Sequence, residues 1–229
     1  MTIKKNITAV QNYIKHAAIG SHRSEKEVKL LAISKTQPAA ILREAAQAGI
    51  ACFGENYLQE ALIKIEALTD LDLQWHFIGP IQSNKTKDIA QHFDWVQSID
   101  RLKIAQRLAN QRPIELGKLN ICIQVNIDNE VTKSGVLPDD LLNFASQIHQ
   151  FEQLQLRGLM VIPTNTSDQL QQRQAFQSAQ QLYLQLVALY PTVDTLSMGM
   201  SADLDLAISE GSTMVRVGTA LFGKRPTPS

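Results

Sequence analysis

Eight short runs of apolar, strand-prone residues recur along this chain, each separated from the next by a segment with helical spacing, and no other feature limits the fold so sharply. The runs are read at residues 30–35, 50–54, 73–79, 95–99, 120–127, 156–162, 195–198 and 214–218. Between them the spacing predicts helices over 38–48, 57–68, 87–93, a segment capped by Asp100 with Leu102, Ala105 and Leu108 on one face, then 141–151, 168–190 and 204–208. One more amphipathic helix, carrying Ile3, Ile7, Val10, Ile14 and Ala18, precedes the first strand and ends near Gly20. Strands joined through helices are parallel strands, because a helix carries the chain back to the starting edge. The expected fold is therefore α/β: a single (β/α)8 TIM-type barrel with an extra N-terminal helix, one domain over 1–229. An open doubly wound sheet is the alternative. It would carry a Gly-rich nucleotide turn after its first strand, where this sequence reads Lys35-Thr36-Gln37-Pro38.

Charge and cysteine usage narrow the partners. Lys and Arg total 22 and Asp and Glu total 22, so no basic excess favours nucleic acid or an anionic membrane surface. Cys52 and Cys122 both sit in apolar strand-like runs and read as free thiols of a reducing compartment. The first 20 residues are broken by Lys4, Lys5, Asn6, Gln11, Asn12 and Lys15, unlike a signal peptide, and the cytoplasm is the expected address. His16, His22, His76, His92 and His149 are scattered without ligand spacing, so no metal site is expected.

In a barrel of this kind chemistry gathers at the C-terminal ends of the strands. Lys35 follows a run of apolar and small residues at the end of the first strand, where partial desolvation would turn its amine into a nucleophile for carbonyls; a solvated lysine is the bland alternative. Ser201 stands just before the helix after strand seven, and Gly218 and Thr219 follow strand eight, the two loops that commonly bind phosphate in barrels. Arg216 lies two residues before Gly218 and so points to the same side of its strand, which is the barrel interior. There it needs an acceptor, whether a carboxylate or a ligand nitrogen. One ligand answers all three features: pyridoxal 5′-phosphate, with its aldehyde at Lys35, its phosphate at Ser201, Gly218 and Thr219, and its ring nitrogen at Arg216.

The blocks Ala32-Ile33-Ser34-Lys35-Thr36, Phe53-Gly54-Glu55-Asn56, Trp75-His76-Phe77-Ile78-Gly79-Pro80, Lys133-Ser134-Gly135, Arg157-Gly158-Leu159-Met160, Leu196-Ser197-Met198-Gly199-Met200-Ser201 and Arg216-Val217-Gly218-Thr219 resemble the pyridoxal-phosphate homeostasis protein family over nearly the whole chain. The resemblance implies a barrel similar to the N-terminal domain of alanine racemase, a cofactor-bearing lysine at Lys35 and phosphate contacts at Ser201, Gly218 and Thr219. It also implies cofactor-pocket positions at Asn56 and His76.

Arginine opposite the ring would leave the pyridine nitrogen unprotonated and weaken the electron sink that carbanion chemistry needs. Two-domain racemases of this fold add a β-rich domain that supplies a tyrosine; with the sequence ending about ten residues after Gly218 that domain is not expected here, and Tyr13, Tyr57, Tyr183 and Tyr190 all fall in helical segments. The expectation is a monomeric protein that holds the cofactor as a Schiff base on Lys35 and carries or buffers it within vitamin B6 homeostasis, with pyridoxal-phosphate-dependent apo-enzymes as partners and no catalytic residue assigned. A pyridoxal-phosphate-dependent amino-acid racemase and a cofactor-free Schiff-base aldolase acting on a phosphorylated sugar are the alternatives. Lys133 reads as a solvated loop lysine rather than a second trapping amine.

Overall fold

The computed structural model describes residues 2–130, 132–164 and 166–223. Eight strands close into a barrel in sequence order, every neighbouring pair parallel. They are β1 (Lys29–Ile33), β2 (Cys52–Glu55), β3 (Gln74–Phe77), β4 (Trp95–Ile99), β5 (Leu119–Val125), β6 (Leu154–Val161), β7 (Thr195–Ser197) and β8 (Met214–Val217). Closure is a hydrogen-bonded seam in which Lys29 pairs with Met214 and the register runs on to Ala32 against Val217.

Helices α1 (Ile3–Gly20), α2 (Ala39–Gln47), α3 (Leu58–Ala67), α4 (Thr86–His92), α5 (Leu102–Gln111), α6 (Leu141–Ile148), α7 (Gln169–Leu189), α8 (Leu204–Ser209) and α9 (Thr219–Phe222) accompany the strands. Their apolar stripes meet the outer face of the sheet: Leu42 and Ala45 of α2, Ile104, Ala105 and Leu108 of α5, and Phe176 and Ala179 of α7 belong to one continuous buried core with the strands. Strands covered on both faces have no polar side to show, and all residues of β4 and β8 are buried. Helix α1 joins the end of the chain: Asn6 donates to the Leu221 carbonyl at 2.9 Å, and Arg23, just beyond α1, donates to the carbonyls of Ile208 and Ser212 at 2.8 Å each. No described helix is long and apolar enough to cross a membrane.

Two local expectations change, and one helix appears that the sequence did not announce. Asp100 does not cap α5: Arg101 stands between it and the helix, and no side chain accepts from the first turn of α5. The Asp100 carboxylate instead accepts from Arg101 Nε at 2.9 Å. Tyr57 is the exposed residue before α3, in the loop after β2, rather than part of the helix. Helix α9 follows β8 directly, a single turn too short to show any period in sequence, and it buries Leu221.

Candidate functional site

A cavity of about 310 Å³ opens at the C-terminal end of the barrel. Lys35, Asn56, Ser201, Arg216, Gly218 and Thr219 all line it, between apolar walls that include Ile78, Met160 and Ile162. Six of the seven residues singled out from the sequence thus meet in one place. Ile162 lies one residue beyond β6 and Ile78 one beyond β3, so apolar residues running past the strand ends form the mouth.

Lys35 is two residues past β1, in a turn where Gln37 N–H bonds the Ser34 carbonyl at 3.0 Å and Thr36 adopts φ +66°. On the opposite wall two loops present main-chain donors. Among the described residues, the N–H groups of Ser201, Ala202, Gly218 and Thr219 bond no other part of the chain. Those of Gly218 and Thr219 begin α9, and a first helical turn leaves its N–H groups without intrahelical partners. Unused donors of two loops around one cavity form an anion cradle. A Cβ on Gly218 would lie 3.2 Å from the Ile33 carbonyl oxygen, so glycine keeps this approach bare. The loop after β7 is fixed by Met200 N–H on Asp203 Oδ1 at 2.5 Å, with Asp203, not Ser201, as the residue before α8. Ala202 went unnoticed in the sequence because a main-chain donor leaves no trace in side-chain identity.

Arg216 points inward and is 5% exposed. Among the described residues no carboxylate pairs with it. Its Nη1 donates to the Ser197 carbonyl and hydroxyl oxygens, each at 2.8 Å, and its Nη2 to the Val161 carbonyl at 2.8 Å. Burial lowers its pKa to about 10, which leaves it charged at neutral pH. Of the five N–H bonds of a guanidinium, three are spent on these oxygens, which leaves two on a side chain that lines the cavity. Asn56 presents a complementary need, since its Oδ1 is buried without a partner among the described residues.

His76 does not line this cavity. Its side chain points the same way along β3 as that of Ile78, which occupies the mouth two residues further on, so the imidazole lies one layer deeper. The ring is fully buried and stacks on Trp95 with centroids 5.0 Å apart. Gln97 Nε2 donates to its Nδ1 at 2.9 Å, which places the proton on Nε2, 3.1 Å from Gln74 Oε1. Burial holds its pKa down to about 3. Ser197 Oγ donates to Gln97 Oε1 at 2.7 Å, so a polar chain links Arg216 to His76 through the barrel. Lys133 belongs to a neighbouring cavity of about 280 Å³ and donates to Thr164 Oγ1 at 2.9 Å beside Asp128 and Glu130.

Barrel and site together define a class: parallel (β/α)8 proteins with a lysine after the first strand and an anion cradle after the seventh and eighth. Residues 3–226 match the family described as alanine racemase, N-terminal domain. The pyridoxal phosphate homeostasis protein of Pseudomonas aeruginosa is 56% identical over 224 residues, 98% of this chain and 96% of that protein. Its Escherichia coli K12 counterpart is 48% identical over 229 residues, 97% of each. The structure of PipY from Synechococcus elongatus PCC7942 with pyridoxal phosphate bound superposes with a TM-score of 0.83 at 37% identity, covering 96% of this chain and all of that one. Alanine racemase of Clostridium difficile 630 shares the fold, with a TM-score of 0.75 at 14% identity, over 99% of this chain and 57% of that one. The chain belongs to the alanine racemase N-terminal domain family and to the pyridoxal phosphate homeostasis proteins.

Proposed function

We propose that this chain is a single pyridoxal-5′-phosphate-binding barrel domain that holds the cofactor reversibly on Lys35 and serves vitamin B6 homeostasis as a carrier, handing the cofactor on to apo-enzymes. The carrying observation is the meeting of Lys35, the unspent N–H groups of Ser201, Ala202, Gly218 and Thr219, and the inward Arg216 in one cavity. Its volume falls in the range of small-molecule sites. Ser201, Gly218 and Thr219 would take the phosphate, Arg216 the ring nitrogen, and Asn56 the ring edge, where its buried oxygen lacks a partner. His76 acts only through Gln97 and Ser197, by fixing the guanidinium that faces the ring. When bound, the group supplies an aldehyde that an amine captures with loss of water and that water or a competing amine releases again.

Absence of a second proton-transfer group favours a carrier over an enzyme. No carboxylate, tyrosine or histidine lines the cavity among the described residues, and Arg216 stays protonated at neutral pH. Racemisation needs an acid and a base on opposite faces of the substrate carbon, and Lys35 can be only one of them.

The test is the visible absorption spectrum of the protein with added cofactor, for wild type and Lys35→Ala, followed by each alanine enantiomer. A visible band that depends on Lys35, with optical activity retained, is expected. Loss of optical activity would replace the carrier by a racemase. No Lys35-dependent band would remove the cofactor and leave the aldolase.

A further inference from the structure

Behind the Lys35 turn lies a buried ion cluster that never touches the cavity. Glu55, the last residue of β2, and Lys64 of α3 are both buried. Lys64 Nζ donates to Glu55 Oε1 at 2.8 Å, to the Ser34 carbonyl oxygen at 2.8 Å, and to Glu60 Oε1. An ammonium has three donors, so Lys64 is fully used.

Two of those partners lead to the same place. Ser34 immediately precedes Lys35, and its hydroxyl donates to Glu55 Oε1 at 2.6 Å. Glu60 Oε1 also accepts the backbone N–H of Thr36, immediately after Lys35, at 2.5 Å. Thr36 sits in the left-handed region at φ +66°, which a β-branched residue occupies only where its surroundings hold it there. Both neighbours of Lys35 are thereby anchored to one cluster. For stability alone, an apolar pair of similar volume would serve as well as a buried ion pair.

We propose that Glu60 and Lys64 are positioning residues that fix the backbone on both sides of Lys35 and so aim its amine at the carbonyl carbon of a bound aldehyde. This rests on the reading of Lys35 as the attachment point. Nothing in the cluster is consumed: the amine forms the new C=N bond, the carbonyl oxygen leaves as water, and the cluster supplies orientation alone.

Glu60 is the member to change, because its side chain is 30% exposed and Lys64 would retain Glu55. The experiment compares wild type, Glu60→Ala, Glu60→Gln, Glu60→Asp and Lys35→Ala with two probes. One is pyridoxal 5′-phosphate, read by the rate and extent of the Lys35-dependent band. The other is 4-deoxypyridoxine 5′-phosphate, which keeps ring and phosphate but has no aldehyde, read by its Kd. Glu60→Ala is expected to lower the rate or extent of the band roughly tenfold, the size of one lost charge-assisted hydrogen bond, with the Kd of the analogue unchanged. Glu60→Gln should recover most of the band, since its amide oxygen still accepts from Thr36. Glu60→Asp withdraws the oxygen by one methylene and should show the same split as alanine; it stands in if the alanine variant does not fold. Wild-type band formation in Glu60→Ala, or a loss of analogue affinity by the same factor, would overturn the positioning role. A band that survives Lys35→Ala would overturn the attachment reading instead, and the clamp with it.

Discussion

Two nitrogen groups buried inside the barrel reach opposite charge states, and their partners explain why. Arg216 donates to oxygen acceptors of Ser197 and Val161, and burial lowers its pKa to about 10 against the opposing pull of the Asp203 charge, so it stays protonated at neutral pH. His76 Nδ1 faces the Gln97 amide N–H, which a second proton would oppose, and burial takes its pKa to about 3 from 6.5. The native state therefore refuses a proton that the unfolded chain accepts. The stabilisation is fully present above pH 6.5 and is lost as the pH falls from there towards about 3. Each pH unit in that window removes about 1.4 kcal/mol, the linkage slope for one proton. Urea unfolding from pH 7 to pH 4 should show this decline in wild type and a slope shallower by that amount in His76→Gln; equal slopes would mean His76 is not the group responsible. Sequence reading placed Lys35 and Arg216 well because strand ends and two-residue alternation fix where a side chain points. His76 was put at the pocket by the family resemblance alone, and the structure buries its ring below the cavity, a depth that neither a matching block nor strand alternation carries.

At the scale of elements the β5–β6 pair carries the least forgiving backbone. Ile121 pairs with Leu156 and Cys122 with Gly158, so Arg157 is an extra, bulged residue. The bulge lays Arg157 over the Trp95 ring at 4.7 Å and lets it donate to Asn120 Oδ1 at 2.8 Å and pair with Asp194. Gly158 has φ +150°, and an added Cβ would fall on the Thr195 carbonyl oxygen of β7, inside van der Waals contact. Gly158→Ala should cost about 3 kcal/mol or more, combining backbone strain with a clash against a fixed strand. A urea midpoint unchanged from wild type would contradict it. The glycine was visible in the sequence, but only pairing shows its role. The strands themselves were legible because covered parallel strands read as apolar runs, while their ends were not, since Ile50, Leu73 and Ile162 continue the runs outside the strands. The Glu55–Lys64–Ser34 cluster was hidden for a similar reason: Lys64 and Ser34 are 30 residues apart, and nothing in a helical stripe marks a lysine that faces inward.

For the molecule as a whole, the polar lining of the cavity comes from the first two and the last two strands and the loops after them. Lys35 and Asn56 follow β1 and β2, whereas Ser201, Arg216, Gly218 and Thr219 come from β8 and the loops after β7 and β8. A ligand held by Lys35 on one side and by Thr219 on the other therefore spans the β1–β8 seam that closes the barrel. It should act as a staple for that seam and for α1, which is bonded to Leu221. Binding to the native state alone adds about 2.7 kcal/mol at a free concentration of 100 Kd. For a chain of 229 residues this corresponds to a rise in Tm of roughly 5–10 °C. Hydrogen exchange should slow most in β1, β8 and α9, and Lys35→Ala at the same cofactor concentration should give a smaller rise because only the phosphate and ring contacts remain. Inorganic phosphate should reproduce a minor part of the effect, through the cradle alone. If Lys35→Ala gained as much Tm as wild type, or if protection spread evenly around the barrel, the cofactor would not be bridging the seam, and the cavity would be a phosphate site with Lys35 at its rim.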